Sequence, residues 1–396
     1  MVRHHPSQLN MKSVFVYALC FSLTFGAIEI IELTESVDPD VRYRRWTGMV
    51  SGGLYMDSLY VYMCDENKLN VISRRNPNNV QLKDLELDGS RNFKLLGMLP
   101  TKESYYFTLY PGDGRFYFLQ ISRFDLSVQN FFEKHANPNR MLFYDGRIYA
   151  SALYWPGTSN YLNKYGFRKD HNVTDDDQNM FYKLYEDQRG FTITVYDKNA
   201  SMVDSLNMNV RRGEDAAGFY SLYMTQPFDI SKDGEIFIMD SERGYILERY
   251  GSDHKHISDT KISNSFYKAV PQELNRESPK TLRKNEGSYS DTYAVYEKGE
   301  YVIVGFYPSA VPPNIPKGPF YFDVIKKDGV HIFSGMTSCP FVGEDEKNLI
   351  FFYKKVEGGW FEDDRVFLVG MTIDDILSGK ASDTSIDNAI SRYSGE

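Results

Sequence analysis

The chain has 396 residues, of which 42% are hydrophobic and 15% aromatic, and its formal net charge is −9. That length allows two or three ordinary domains or one large all-β domain, and the abundance of Tyr and Phe suits pleated, half-buried strands better than helices. An acidic surface with no long basic run repels phosphate backbones, which argues against a nucleic-acid partner.

The first element is an address. Residues 11–27 read MKSVFVYALCFSLTFGA: Lys12 is a positive start, Val14 to Phe25 an apolar stretch, and Thr24-Phe25-Gly26 places small residues where a signal peptidase cuts. The expectation is a signal peptide over 1–27, with the mature chain starting between Ala27 and Glu29. Glu29 ends the apolar run before the roughly 20 residues a membrane span needs. An uncleaved anchor or a buried strand are the alternatives. Lipid attachment at Cys20 is disfavoured by Leu19, which is not the small residue expected before a lipidated cysteine. The predicted location is extracytoplasmic (periplasm, cell surface or medium), and membrane contact requires that the segment be kept.

Beyond the address, one cassette recurs: a turn, a strand rich in aromatic or β-branched residues, a second strand, and an acidic residue near its end. Asp113-Gly114, Asp145-Gly146, Asp233-Gly234, Lys298-Gly299 and Asp328-Gly329 each precede such a strand, and two copies without the glycine lie at 55–73 and 343–355. In FDISKDGEIFIMDSERGYILERYGSD, residues 228–253, Phe228, Ile230, Ile236, Ile238, Tyr245 and Leu247 alternate with polar neighbours, the period of a strand. Asp-Gly is the dipeptide of a type I′ hairpin turn, whose two central residues need positive φ. Four short strands repeating every 40–50 residues predict a β-propeller, and the repeats divide into six four-stranded antiparallel blades at 44–88, 90–137, 138–212, 215–265, 288–336 and 337–376. Two stacked β-sandwiches are the competing all-β arrangement. The domain expected is a propeller over 28–380, interrupted by an inserted loop at 154–180, followed by a polar tail at 381–396. PSAVPPNIPKGP, residues 308–319, carries five prolines and is expected to be a rigid loop.

Two cysteines remain in the mature chain, Cys64 in the first blade and Cys339 at the start of the last. In a closed ring these blades are neighbours, so a bridge between Cys64 and Cys339 and a pair of separate buried thiols both stay open.

The 228–253 stretch resembles an NHL-type repeat at Ile230, Asp233, Gly234, Ile236, Asp240, Ile246 and Tyr250. The chain as a whole is similar to the secreted six-bladed β-propeller proteins of the NHL and TolB-like superfamily common in bacteria. That resemblance implies a fold and leaves function open, since one propeller scaffold serves many functions.

No Gly-x-Ser-x-Gly elbow, HExxH or P-loop appears, and no catalytic residue is assigned. A metal-dependent hydrolase or lyase of the gluconolactonase type would need oxygen ligands converging on the central channel. Asp229, Asp240, Glu297 and Asp323 are the strand-borne candidates for Ca2+ there, although an Asp at a strand end usually caps a turn. His254 and His256 would share one face of a strand, a weak zinc signal without a third ligand. Asp175-Asp176-Asp177 and Glu344-Asp345-Glu346 read as solvated loops. No cofactor is assigned. Aromatic rings crowded on loops are better recognition candidates: Tyr154, Trp155, Tyr161 and Tyr165 in the insertion, and Tyr307 and Phe320 flanking the proline loop. The alternative for these rings is burial against the propeller. The leading expectation is a monomeric, non-catalytic binding module that holds a protein or glycan partner on one face.

Overall fold

The computed structural model describes residues 28–32, 54–56, 60–65, 68–73, 80–84, 94–110, 116–134, 138–154, 190–199, 201–207, 227–240, 244–264, 266–269, 289–307, 319–355 and 365–395. Residues 1–27, where a signal peptide is expected, lie outside them together with Cys20, as do residues 155–180 of the insertion and residues 308–318 of the proline loop.

Within the described residues the protein is a β-propeller of four-stranded antiparallel sheets. Strand β1 is Glu29–Glu32. Five blades follow, each continuous in sequence. Blade one is β2 (Leu54–Met56), β3 (Tyr60–Asp65), β4 (Lys68–Ser73) and β5 (Val80–Asp84). Blade two is β6 (Lys94–Pro100), β7 (Ser104–Tyr110), β8 (Phe116–Ser122) and β9 (Val128–Lys134). Blade three is β10 (Pro138–Tyr144), β11 (Arg147–Tyr154), β12 (Gly190–Tyr196) and β13 (Met202–Asn207). Blade four is β14 (Phe228–Ile230), β15 (Ile236–Asp240), β16 (Ile246–Tyr250) and β17 (His256–Lys261), and blade five is β18 (Asp291–Lys298), β19 (Tyr301–Tyr307), β20 (Phe320–Lys326) and β21 (His331–Thr337).

Residues 337–376 do not make a complete sixth blade from their own sequence. They supply β22 (Phe341–Glu344), β23 (Asn348–Lys355) and β24 (Arg365–Thr372), and the fourth strand of that sheet is β1, from the other end of the chain. This corrects the expectation of six blades to five, plus a sheet shared between the ends. The register runs Glu29↔Gly370, Ile30↔Val369, Ile31↔Leu368 and Glu32↔Phe367. Sequential strand order within every blade sets aside the Greek-key crossovers of stacked sandwiches.

The first strands line the axis, because they are the strands through which neighbouring sheets meet: β6 meets β2 and β10, β14 meets β10 and β18, and β22 meets β18 and β2. Strand β15 shows how the alternation builds this. All five of its residues are buried. Ile236 and Ile238 pack with Tyr149, Ile193 and Val195 of blade three, whereas Phe237 and Met239 pack with Val302, Val304 and Phe306 of blade five. A strand with both faces buried reads as a continuous apolar run, and the period of two sends alternate side chains to opposite neighbours.

The Asp-Gly turns differ from one another. At 145–146 both residues have positive φ, +46° and +74°, as a type I′ turn requires. At 233–234 only the glycine does, at +85°. There the Gly234 N–H donates to the Ser231 carbonyl at 2.9 Å and the Ser231 N–H to the Glu235 carbonyl at 2.8 Å. This is a longer loop closed by a left-handed glycine, so the expected type I′ geometry is corrected at this turn.

The expected polar tail is also corrected. Helix α1 (Ile373–Leu377) and helix α2 (Asp383–Ser394) follow β24. The Ser382 side chain caps α2 by accepting from the Ser385 N–H, and Gly395 ends it in the left-handed conformation. Ile386 and Ile390, one turn apart and fully buried, dock α2 on Phe351, Phe367 and Val369 of the shared sheet.

Cys339 is a free, buried thiol, so the bridge to Cys64 is not formed. It lies in the connection before β22, inside the cluster that joins blade five, the shared sheet and α2. Burial pushes its pKa up to about 11, which keeps it an unreactive thiol.

Candidate functional site: a charged cluster on the first strands

The most unusual chemistry lies on the first strands of three blades and the shared sheet. Arg140 enters from β10, where it is the one cation in the sequence PNRMLFY. Its Nη1 donates to the Val295 carbonyl at 2.9 Å, and its guanidinium lies 4.9 Å from the Tyr296 ring centroid. Nη2 stands 3.5 Å from Asp229 Oδ1 on β14 and 3.7 Å from Glu344 Oε1 on β22. Lys298, at the end of β18, reaches Glu344 Oε2 at 2.6 Å. Lys327, after β20, reaches Glu297 Oε1 at 2.5 Å. The backbone N–H of Glu297 donates to Asp229 Oδ2 at 2.6 Å.

Asp229 is the most strongly perturbed acid of the cluster. It is 4% exposed, and its pKa is pushed up to about 8, chiefly by burial and next by the negative charge of Glu344, against the pull of Arg140. A buried carboxyl held near neutrality beside a guanidinium is a group whose protonation state can change within the ordinary pH range.

The sequence candidates separate into distinct places. Asp229 and Glu297 meet in this cluster. Asp323 lies on β20, fully buried, and accepts from Tyr245 Oη at 2.8 Å, from Asn264 Nδ2 at 2.6 Å and from Ser334 Oγ at 2.6 Å. It is a satisfied knot between blades four and five rather than an open ligand. Asp240 is buried at the end of β15. Asp345 caps its own turn through the N–H groups of Lys347 and Asn348. The carboxylates of the cluster do not fit a hard cation, because Arg140, Lys298 and Lys327 occupy the positions an ion would need. Among the described residues no group of three His, Cys, Asp or Glu side chains could hold a metal.

His254 and His256 do not share a strand face, which corrects that expectation. His254 lies in the turn before β17, at φ +63°. Its Nδ1 pairs with Asp204 Oδ2 at 2.5 Å and its Nε2 with the Tyr149 hydroxyl at 3.2 Å, a latch between blades three and four. His256 Nε2 pairs with Asp259 instead, at 2.7 Å. Each imidazole has a carboxylate of its own.

Of the loop aromatics, Tyr154 ends β11, while Trp155, Tyr161 and Tyr165, together with Asp175 to Asp177, lie outside the described residues. Tyr307 and Phe320 do come together, with ring centroids 5.7 Å apart, and both pack on Tyr293. Phe320 is buried at 4% exposure and belongs to the core, which leaves Tyr307 as the half-buried ring at the mouth of the proline loop. Sequence reasoning missed Arg140, Lys298 and Lys327. A lone arginine in an apolar first strand was the available signal, matched by the lone Asp229 in FDI of β14.

No family model and no curated protein matches the chain. Solved structures with a distant likeness include a protein of unknown function from Bacteroides caccae, at 8% identity and TM-score 0.36, covering 70% of this chain and 72% of that one. A subtype N10 neuraminidase-like protein of A/little yellow-shouldered bat/Guatemala/060/2010 matches at 9% identity and TM-score 0.42, over 82% and 95% of the two chains. A chain of the mitotic checkpoint complex matches at 7% identity and TM-score 0.40, over 87% and 93%. The propeller assignment rests on the sheet topology itself.

Proposed function

We propose that this chain is an exported, non-catalytic binding propeller in the NHL and TolB-like manner. It works as a monomer outside the cytoplasm and holds a protein or glycan partner on the face carrying the 154–180 and 306–320 loops. The observation that carries this reading is the charged cluster: its carboxyl groups are each paired with Arg140, Lys298 or Lys327 from another strand. Charge committed to joining blades is scaffold chemistry, and recognition then falls to the loops.

Titration of the purified chain against arrayed glycans tests it. Tyr307→Ala should weaken a specific ligand by about tenfold, as removal of one aromatic anchor does, while Asp229→Asn leaves binding unchanged. A second reading is favoured by Asp229 alone: a carboxyl titrating near neutral pH could act as the acid of a gluconolactonase-like hydrolase or lyase. Turnover of a lactone panel that disappears in Asp229→Asn would replace the first reading with the second.

A further inference from the structure

The turn between β12 and β13 carries Asn199-Ala200-Ser201, an Asn-x-Ser acceptor sequence for N-linked oligosaccharide. Its backbone is fixed on both sides. Asp197 closes the turn: its N–H donates to the Ser201 carbonyl at 2.9 Å, and its Oδ1 accepts from the N–H groups of Asn199 at 2.9 Å and Ser201 at 2.8 Å. The carbonyls of Lys198 and Asn199 are bonded to blade two, where the Tyr106 hydroxyl donates at 3.0 Å and Asn130 Nδ2 at 3.2 Å. Gln120 holds both donors, giving its Nε2 to the Tyr106 oxygen at 3.2 Å and accepting from Asn130 at 2.7 Å.

With these backbone groups committed inward, the side chain of residue 199 is left to solvent. Asn199 and Ser201 are both exposed, and the Asn199 amide makes no hydrogen bond among the described residues. An attached sugar would therefore cost the fold no contact. The surroundings supply a second reason for a glycan here. Strand β13 is the outermost strand of blade three. It begins with Met202 and Val203, 66% and 52% exposed. An edge strand with unpaired backbone groups and exposed apolar side chains invites pairing with another chain, and a bulky hydrophilic group at its first turn blocks that approach.

We propose that Asn199 is an N-glycosylation site whose oligosaccharide shields the outer edge of blade three. The donor class is an oligosaccharide on a polyprenyl pyrophosphate. Asn199 Nδ2 forms the bond to the sugar C1, the bond from C1 to the pyrophosphate oxygen breaks, and the amide proton leaves with the lipid pyrophosphate. The proposal rests on the export reading, because the acceptor must reach the side of the membrane where the transfer occurs. A second acceptor sequence, Asn172-Val173-Thr174, lies outside the described residues and serves as an internal comparison.

The test is peptide mapping by mass spectrometry of the full-length protein purified from the cells that make it, with cell fractionation of the same culture. The expected result is a glycan mass on the peptide spanning residue 199, lost in both Asn199→Gln and Ser201→Ala and retained in Asn172→Gln. An extracytoplasmic protein whose residue 199 is bare overturns the glycan and leaves export standing. A cytoplasmic protein with a bare residue 199 overturns both.

Discussion

Blade four and the shared sheet have the same four-stranded form and are held together in different ways. Blade four runs from Phe228 to Lys261, with short turns between its strands. Its middle strand is buried on both faces, and its first turn is closed by backbone bonds between Ser231, Gly234 and Glu235. The shared sheet must bring β1 to β24 across almost the whole chain. Side chains reinforce the backbone ladder at that junction: Arg365 donates to both oxygens of Glu32, at 2.7 and 3.0 Å, and Asn348 Nδ2 donates to Glu29 at 3.2 Å. Helix α2 then covers the outside, with Arg365 donating to Ser394 at 2.9 Å. A blade made of neighbours in sequence needs only its pattern and turns. One made of distant segments must offset an additional closure entropy, which grows slowly with length and is met here by an ion pair, a side-chain hydrogen bond and a docked helix.

The largest expected effect comes from opening the core on each side of that comparison. Phe237→Ala in blade four should cost about 3–5 kcal/mol and Ile31→Ala in β1 about 2–5 kcal/mol, measured by urea unfolding. Hydrogen exchange sharpens the contrast: in Ile31→Ala the β1 amides should open well before those of β15. Equal protection of the two strands would show that the shared sheet is as cooperative as blade four.

Next comes the seam between blades four and five. Gly329 has φ +88°, and a Cβ there would stand 2.0 Å from Thr260 Cγ2 on β17. Gly329→Ala should cost about 1–3 kcal/mol. Gly146→Ala, at φ +74° with no atom within 4 Å of the new carbon, should carry only the backbone penalty of about 1 kcal/mol. Thermal unfolding of the two variants separates the steric part from the backbone part.

The third effect depends on pH. The Asp229 carboxyl titrates near 8 when folded and near 3.9 when unfolded. Below about 4 it is protonated in both states. Between about 4 and 8 the folded protein holds the extra proton, so this group's stabilisation is present at low pH and is lost as pH rises through about 8. The expected slope is at most about 1.4 kcal/mol per pH unit. Asp229→Asn should flatten that part of the stability profile, and an unchanged profile would show that Asp229 is ionised throughout. The smallest effect returns to the chain ends: Arg365→Gln should cost about 1 kcal/mol or less, because the pair it breaks is partly solvated, and less still in high salt.

The candidate site was half legible. Asp229 and Glu297 could be named because acids in apolar strands stand out, yet nothing local says that β10, β14, β18 and β22 face one another. Arg140, Lys298 and Lys327 acquired meaning only when that arrangement placed them against those acids. The C-terminal helix was missed because its signal is slight: Ile386 and Ile390 are two buried residues among Ser, Asp and Asn, and their partners Phe351 and Phe367 lie on other elements.

Sequence alone determined the strands and where they turn, though not the geometry of the 233–234 turn, because period-two alternation and glycine at positive φ are properties of a few neighbouring residues. Tertiary structure decided the rest. It completed the last sheet with β1 and left Cys339 an unpaired thiol. It also separated His254 from His256, and it turned scattered charges into one cluster. Each of these depends on which distant segments share a seam, and packing across the whole ring settles that where local preference cannot.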